Sequence, residues 1–234
     1  MEGVYVSDAY HSLSIEGYRV SPKLIERVRT GAWNPDGNED DRERRNAMAA
    51  RGYYEAFQAV KECVAMVLKG DDPGAIADDH HGAWYRALWA PSVTAGLVTP
   101  ADLAGYRNGP IYIRRSKHVP PPQEAVRDLM PAFFECLREE DDPAVRIVLG
   151  HFMFVYIHPY MDGNGRIGRF LMNLMLAAGG YPWTVIPVER RDDYMAALEA
   201  ASTEQDIAPF AAFVGELVND GLEGRTPGLL RPGK

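Results

Sequence analysis

The amino-acid sequence predicts a mainly helical protein: a helical bundle around a central helix–loop–helix, with one small β-hairpin. Three observations carry this. Apolar residues recur at helical spacing along most of the chain. Capping residues and glycine stops punctuate those runs. Only Gly105 to Pro122 shows a strand-like alternation.

In chain order, Ser7-Asp8 predicts the start of a short helix over about 7–17. It carries Tyr10, Leu13 and Ile15 and stops at Gly17. Ser21 before Pro22 is an N-cap with proline at the first helical position, and Gly31 is the stop. Residues 32–39 are rich in turn formers. From Asp40 to about Lys69 a long amphipathic run carries Met48, Tyr53, Tyr54, Phe57, Val60, Val64 and Val67, and Gly70 to Gly74 ends it. The next predicted helix, about 78–89, has Trp84, Leu88 and Trp89 on its apolar side. Ile111-Tyr112-Ile113 and the basic turn after them predict the hairpin, over 109–119. Pro120-Pro121-Pro122 breaks the chain before a helix at about 123–138. Asp142-Pro143 opens a very apolar helix at 144–157, and further helices follow at 165–178, 190–202 and 207–222. The predicted organisation is an N-terminal helical region over 1–80, a core over 81–223 and a loose tail over 224–234.

Composition narrows the function classes. The chain has 234 residues, 46% of them hydrophobic, enough for a fair-sized core. A formal charge of −8 argues against nucleic acid as the main partner. It leaves room for ATP, because clustered arginines make a local positive site. No run is long and apolar enough to span a membrane. The N-terminus lacks the basic and apolar regions of a signal peptide, so the expected location is cytoplasmic. Cys63 and Cys136 both fall in helix-like segments and are expected to be buried free thiols.

The densest chemistry lies in His158-Pro159-Tyr160-Met161-Asp162-Gly163-Asn164-Gly165-Arg166-Ile167-Gly168-Arg169. An apolar helix delivers His158 to its end, a tight turn follows, and a second helix begins near Asn164-Gly165. Free N–H groups at a helix start bind anions. Arg166 and Arg169 share one helical face, so both can address a phosphate seated there. Histidine titrates near neutral pH, and Asp162 is an oxygen ligand for a hard divalent cation. Singly, each residue has a plain structural reading; the joint spacing is what points to a phosphate site with a base at its edge.

That stretch resembles the signature of the Fic family, His-Pro-Phe-x-(Asp/Glu)-Gly-Asn-Gly-Arg-x-x-Arg, with Tyr160 in place of phenylalanine. Gly105-Tyr106-Arg107, the hairpin with the prolines after it, and Gly180-Tyr181-Pro182 are similar to flanking segments of the family. The resemblance covers about 104–217 plus a short N-terminal piece. It implies a Fic fold and transfer of AMP from ATP to a Ser, Thr or Tyr hydroxyl of a target protein. His158 would be the base and Asp162 the Mg²⁺ ligand. Gly163, Asn164 and Gly165 would form the anion hole, Arg166 would contact the phosphates, and Arg169 the γ-phosphate. Gly165 stands where the related kinases usually carry lysine, which favours nucleotidyl transfer. Met195, with Tyr194 beside it, and Ser202 align with the adenosine pocket, where other members carry Tyr and Asn; UTP therefore stays open. The target is expected at the family's "flap", at Ile111, Tyr112 and Ile113, and a homodimer is left open.

Ser12-Leu13-Ser14-Ile15-Glu16-Gly17 is similar to the family's inhibitory pattern. It implies that Ser12 and Glu16 sit on an inhibitory helix, and that Glu16 forms a bidentate pair with Arg169 in the γ-phosphate position. Two alternatives accompany this reading: AMP removal with Glu16 positioning water, and a non-catalytic nucleotide-sensing or protein-binding module. His80-His81 lacks a third ligand and is taken as solvated or capping, and His151 as a packed polar residue. Arg114, Arg115 and Lys117 read either as a charged edge or as a docking edge for an extended target.

Overall fold

The computed structural model describes residues 3–33 and 44–225. Nine helices occur among them: α1 (Tyr5–Ile15), α2 (Pro22–Thr30), α3 (Arg44–Val67), α4 (Pro73–Thr94), α5 (Gln123–Glu139), α6 (Pro143–Ile157), α7 (Asn164–Ala178), α8 (Arg191–Thr203) and α9 (Ala208–Leu222). Short 3₁₀ turns occupy Pro100–Leu103 and Val188–Arg190.

Capping chemistry explains most boundaries. The Ser21 side chain accepts from Leu24 N–H at 3.1 Å, with Pro22 opening α2. Asp72 accepts from Ala75 N–H at 2.7 Å, and Asp142 from Ala144 N–H at 2.8 Å. Asp72-Pro73 was thus the start of a helix as well as the stop before it. That is why α4 begins earlier than the pattern around Trp84 predicted, and it also runs on through Pro91 to Thr94. The start of α1 differs too: it begins at Tyr5 with no side-chain cap. Asp8 is buried and accepts from Tyr53 Oη at 2.7 Å, so its carboxylate ties α1 to α3. Burial pushes that carboxyl up to about 6.

One core joins the helices. α7 is its axis: from Ile167 to Leu176 every residue is buried, with the polar Arg169 and Asn173 hydrogen-bonded. α6 packs antiparallel beside it, and α3 packs along α4. That second contact is close because Gly52 has no side chain; a Cβ there would overlap the Leu88 carbonyl. α1 and α2 close over α3 and the start of α7.

Two expectations change. No strand occurs among the described residues, so the predicted hairpin at 109–119 is an irregular loop. Its turn is closed by Ser116 N–H on Ile113 O at 3.1 Å, and Arg115 takes φ 65°. Prolines at 110 and 120–122 supply no N–H, and Lys117 N–H donates to the Glu199 carboxylate at 2.7 Å, so the donors a ladder needs are missing or engaged elsewhere. Cys136 is exposed, while Cys63 is buried as predicted. Most of the 32–39 loop, residues 40–43 and the tail from 226 lie outside the described residues.

Candidate active site

His158 ends α6 in a left-handed conformation, φ 54° and ψ 59°. Its N–H donates to Phe154 O at 3.0 Å, and Pro159 after it prevents the helix from continuing. Ring Nδ1 lies 3.2 Å from Val155 O. A carbonyl only accepts, so Nδ1 carries the proton and Nε2 is the free lone pair. Burial lowers the pKa of His158, and Arg107 lowers it further; Val155, Glu16 and Asp162 act in the opposite direction. The ring is therefore neutral near pH 7.

The turn to α7 is braced by Asn164, which is 1% exposed. Its Oδ1 accepts from Tyr160 N–H at 2.9 Å and its Nδ2 donates to Tyr160 O at 2.7 Å. The Asn164 side chain is thus committed to the loop, and the residue can serve an anion only through its backbone. Gly163 caps the helix at φ 90°, where a side chain would be strained. The first intrahelical bond runs from Ile167 N–H to Gly163 O, so the N–H groups of 164, 165 and 166 have no intrahelical acceptor. Their macrodipole favours an anion at this point.

Glu16 lies beside that helix start, on Arg169. Arg169 Nη2 donates to Glu16 Oε1 at 2.7 Å, Arg169 Nε to Ser12 Oγ at 2.9 Å, and Nη2 also to Ser12 O at 3.0 Å. The pair is end-on and not bidentate: Ser12 takes Nε and shares Nη2, and Nη1 has no hydrogen-bond partner. Burial alone would raise the Glu16 pKa, but Arg169 and Arg166 outweigh it and hold the carboxylate ionised. A Cβ on Gly165 would collide with Glu16 Oε1 and come within 3.2 Å of Arg169 Nη1, so any side chain at 165 is incompatible with this contact. From α8, Arg191 Nε donates to Ile15 O at 2.9 Å and pins the end of α1.

Arg166 is 1% exposed. Its guanidinium lies between the rings of Tyr18 at 5.1 Å and Trp89 at 4.9 Å, and its three nitrogens have no hydrogen-bond acceptor. Asp162 Oδ1 is 3.6 Å away. The Asp162 side chain is 60% exposed, and both contacts it makes use Oδ1. One open carboxylate oxygen beside an anion site suits Mg²⁺, which is commonly held by one or two carboxylates plus substrate phosphates. No cluster of three or more His, Cys, Asp or Glu able to hold a metal occurs among the described residues, so the protein alone offers no full cage.

His158, Gly165, Arg169, Glu16, Tyr194 and Ile113 line one cavity of about 400 Å³. Met195 and Ser202 line it as well. Tyr194 is buried, its hydroxyl 2.7 Å from Nε2 of His151, so it is wall rather than handle. His151 is fully buried, and burial lowers its pKa to about 4. Arg166, Gly163, Asn164, Asp162, Ile111 and Tyr112 stand outside the cavity lining. His81 packs against Tyr106, its Nε2 3.0 Å from the hydroxyl. Tyr18, Trp89 and Glu199 were not singled out for the site from sequence. Trp89 read as ordinary core, and nothing local marked Tyr18. Glu199, which accepts from Ser116 Oγ at 2.5 Å, holds the loop only through the fold.

A helical bundle with this histidine, glycine-rich turn and open helix start has the Fic fold. Residues 78–176 match the model of the Fic/DOC family. Those residues form a Fic/DOC family domain. The chain is 36% identical over 132 residues to Protein adenylyltransferase Fic of Drosophila virilis, covering 55% of this chain and 27% of that protein. The protein of the same name from Drosophila willistoni gives 36% over 132 residues, with 55% and 26% covered. The chain thus spans about a quarter of the length of these relatives. Among solved structures, Fic-1 (residues 134–508) from C. elegans superposes with a TM-score of 0.79 at 24% identity, covering 96% of this chain and 63% of that one. A Fic family protein from Desulfovibrio desulfuricans G20 gives 0.73 at 23%, with 96% and 66% covered. At those identities the likeness speaks for the fold.

Proposed function

We propose that this protein is an adenylyltransferase that moves AMP from ATP to a Ser, Thr or Tyr hydroxyl of a target protein, and that Glu16 holds it off. The observation that carries this reading is the neutral His158, with Nε2 free, lining the same cavity as Arg169 and its bound Glu16. The relatives named as adenylyltransferases support the same chemistry.

In this reading His158 Nε2 accepts the proton of the target hydroxyl as its oxygen attacks the α-phosphorus. The bond from that phosphorus to the bridging oxygen breaks, and pyrophosphate leaves. The N–H groups at the start of α7 stabilise the charge that develops on the phosphate oxygens. Arg166 and Arg169 hold the phosphates once Glu16 and Tyr18 withdraw. Asp162 would hold Mg²⁺, which supplies charge neutralisation on the phosphates when bound. The target docks along the loop at Ile111 to Ile113. Tyr112 there is 79% exposed, and the neighbouring Arg114, Arg115 and Lys117 are exposed too. No helix among the described residues is long and apolar enough to cross a membrane. A cytoplasmic site of action and a homodimer belong to the same proposal.

The test is label position. Glu16→Gly protein with Mg²⁺ is incubated with ATP labelled at the α- or the γ-phosphate. Protein-bound label is expected from α only; label from γ would mean phosphoryl transfer and overturn the reading.

The pH dependence has a worked sign. His158 must be neutral to accept a proton, and its folded pKa is lowered, so the base form persists to more acid pH than for an ordinary histidine. Replacing Glu16 removes a charge that raises this pKa, moving it further the same way. For Glu16→Gly, kcat/KM should therefore fall only below about pH 6.5 on its acid side, since that ratio reports the free enzyme. An acid limb centred above that value contradicts the assignment.

A further inference from the structure

Arg107 stands just before the 109–121 loop and is 5% exposed. Its hydrogen bonds all go to backbone carbonyls. Nε donates to His158 O at 2.8 Å, Nη1 to Gly109 O at 3.3 Å, and Nη2 to Pro121 O and, at 3.5 Å, to Ile157 O. Its own backbone N–H donates to Pro159 O at 2.8 Å. Two of these acceptors are carbonyls at the end of α6, where a helix lacks internal donors and favours a cation. Two others, Gly109 and Pro121, are the two ends of the loop. A single planar fork therefore fastens both ends of the loop to the backbone of the candidate base.

The backbone at that point needs fastening. A left-handed conformation is unfavourable for a non-glycine residue, and such residues persist where their surroundings fix them. His158 is such a residue, at φ 54°. Its ring is oriented by Val155 O, but only while the peptide after it stays put. Arg107 bonds the carbonyls of both 158 and 159, the two peptides that follow the strained residue.

We propose that Arg107 is a positioning residue for the transfer reaction: by gripping the carbonyls of Ile157, His158, Gly109 and Pro121 it aims His158 Nε2 and sets the loop in register with it. This rests on the reading of His158 as the base. A lysine would keep the charge at the end of α6 but replace a fork of five donors by a compact ammonium. Geometry and charge can therefore be separated.

The experiment compares Glu16→Gly with Glu16→Gly/Arg107→Lys, measuring α-label transfer, ATP affinity and the imidazole ¹⁵N spectrum of His158. The double variant is expected to lose roughly 10- to 100-fold in kcat, the scale of a misplacement near an ångström, with KM for ATP unchanged. His158 should change from one Nδ1–H tautomer to a mixture. Equal kcat in the two proteins, or an unchanged spectrum, overturns the proposal. If Glu16→Gly transfers nothing, the transferase reading fails by itself, and the spectrum still decides on Arg107. If the lysine variant does not fold, solvent exchange of the Arg107 Nε–H in wild type decides. Exchange far slower than at the exposed Arg114 and Arg115 supports the grip; equal exchange overturns it.

Discussion

Glu16→Gly is expected to raise incorporation of α-labelled AMP into the protein itself roughly 10- to 100-fold over wild type, the range that charge-assisted hydrogen bonds of about 1.5–3 kcal/mol allow. In the proposed mechanism an incoming γ-phosphate must displace the carboxylate seated on Arg169. Charge alone does not set the difference. Ser12 holds the Nε edge of the same guanidinium, Arg191 holds Ile15 O, and Tyr18 lies over Arg166 two residues further on. Glycine removes the carboxylate but leaves those three contacts, so α1 stays docked and the gain stays bounded. Glu16→Gln separates the two effects: it keeps the bulk and loses the charge, so it should fall between wild type and glycine. The measurement is label on the protein per minute at saturating ATP with Mg²⁺. Equal incorporation by wild type and Glu16→Gly would mean that the Glu16–Arg169 contact does not limit nucleotide use.

The helices and the turn that carries the candidate site were legible in the sequence because both are local. A cap such as Ser21-Pro22 or Asp142-Pro143 and an apolar face at helical spacing leave direct marks. The twelve residues from His158 to Arg169 span one helix–loop–helix, so spacing alone put them close together. What was not legible depends on pairing across the chain. Asp8 looked like part of a cap, yet its partner Tyr53 lies 45 residues on. Ile111 to Ile113 alternate like a strand, but the donors around them are absent in proline or spent on Glu199. Trp89 sits at core spacing, and only the fold shows its ring on Arg166. The second bond of Arg169 was foreseen on Glu16 and belongs to Ser12, since a guanidinium shares its edges among whichever oxygens reach it.

His158→Ala should abolish transfer while sparing ATP binding. General base catalysis contributes about 10²–10⁴-fold, so in a Glu16→Gly background the loss should reach at least the lower figure. The fold should tolerate the change. The His158 ring makes one hydrogen bond, to Val155 O, while the conformation of the residue is held through its backbone by Phe154, Arg107 and Pro159. Alanine at φ 54° retains a cost of about 1–2 kcal/mol, but histidine bears it too, so the difference is small. ATP affinity should persist because the groups proposed to meet phosphate, the N–H groups at the start of α7 with Arg166 and Arg169, do not depend on the imidazole. Calorimetric titration with ATP, run beside the α-label assay, separates the outcomes. Binding without transfer places His158 in the chemical step. Full transfer by the alanine variant would remove His158 as the base, and with it the reason for Arg107 to hold that backbone so firmly.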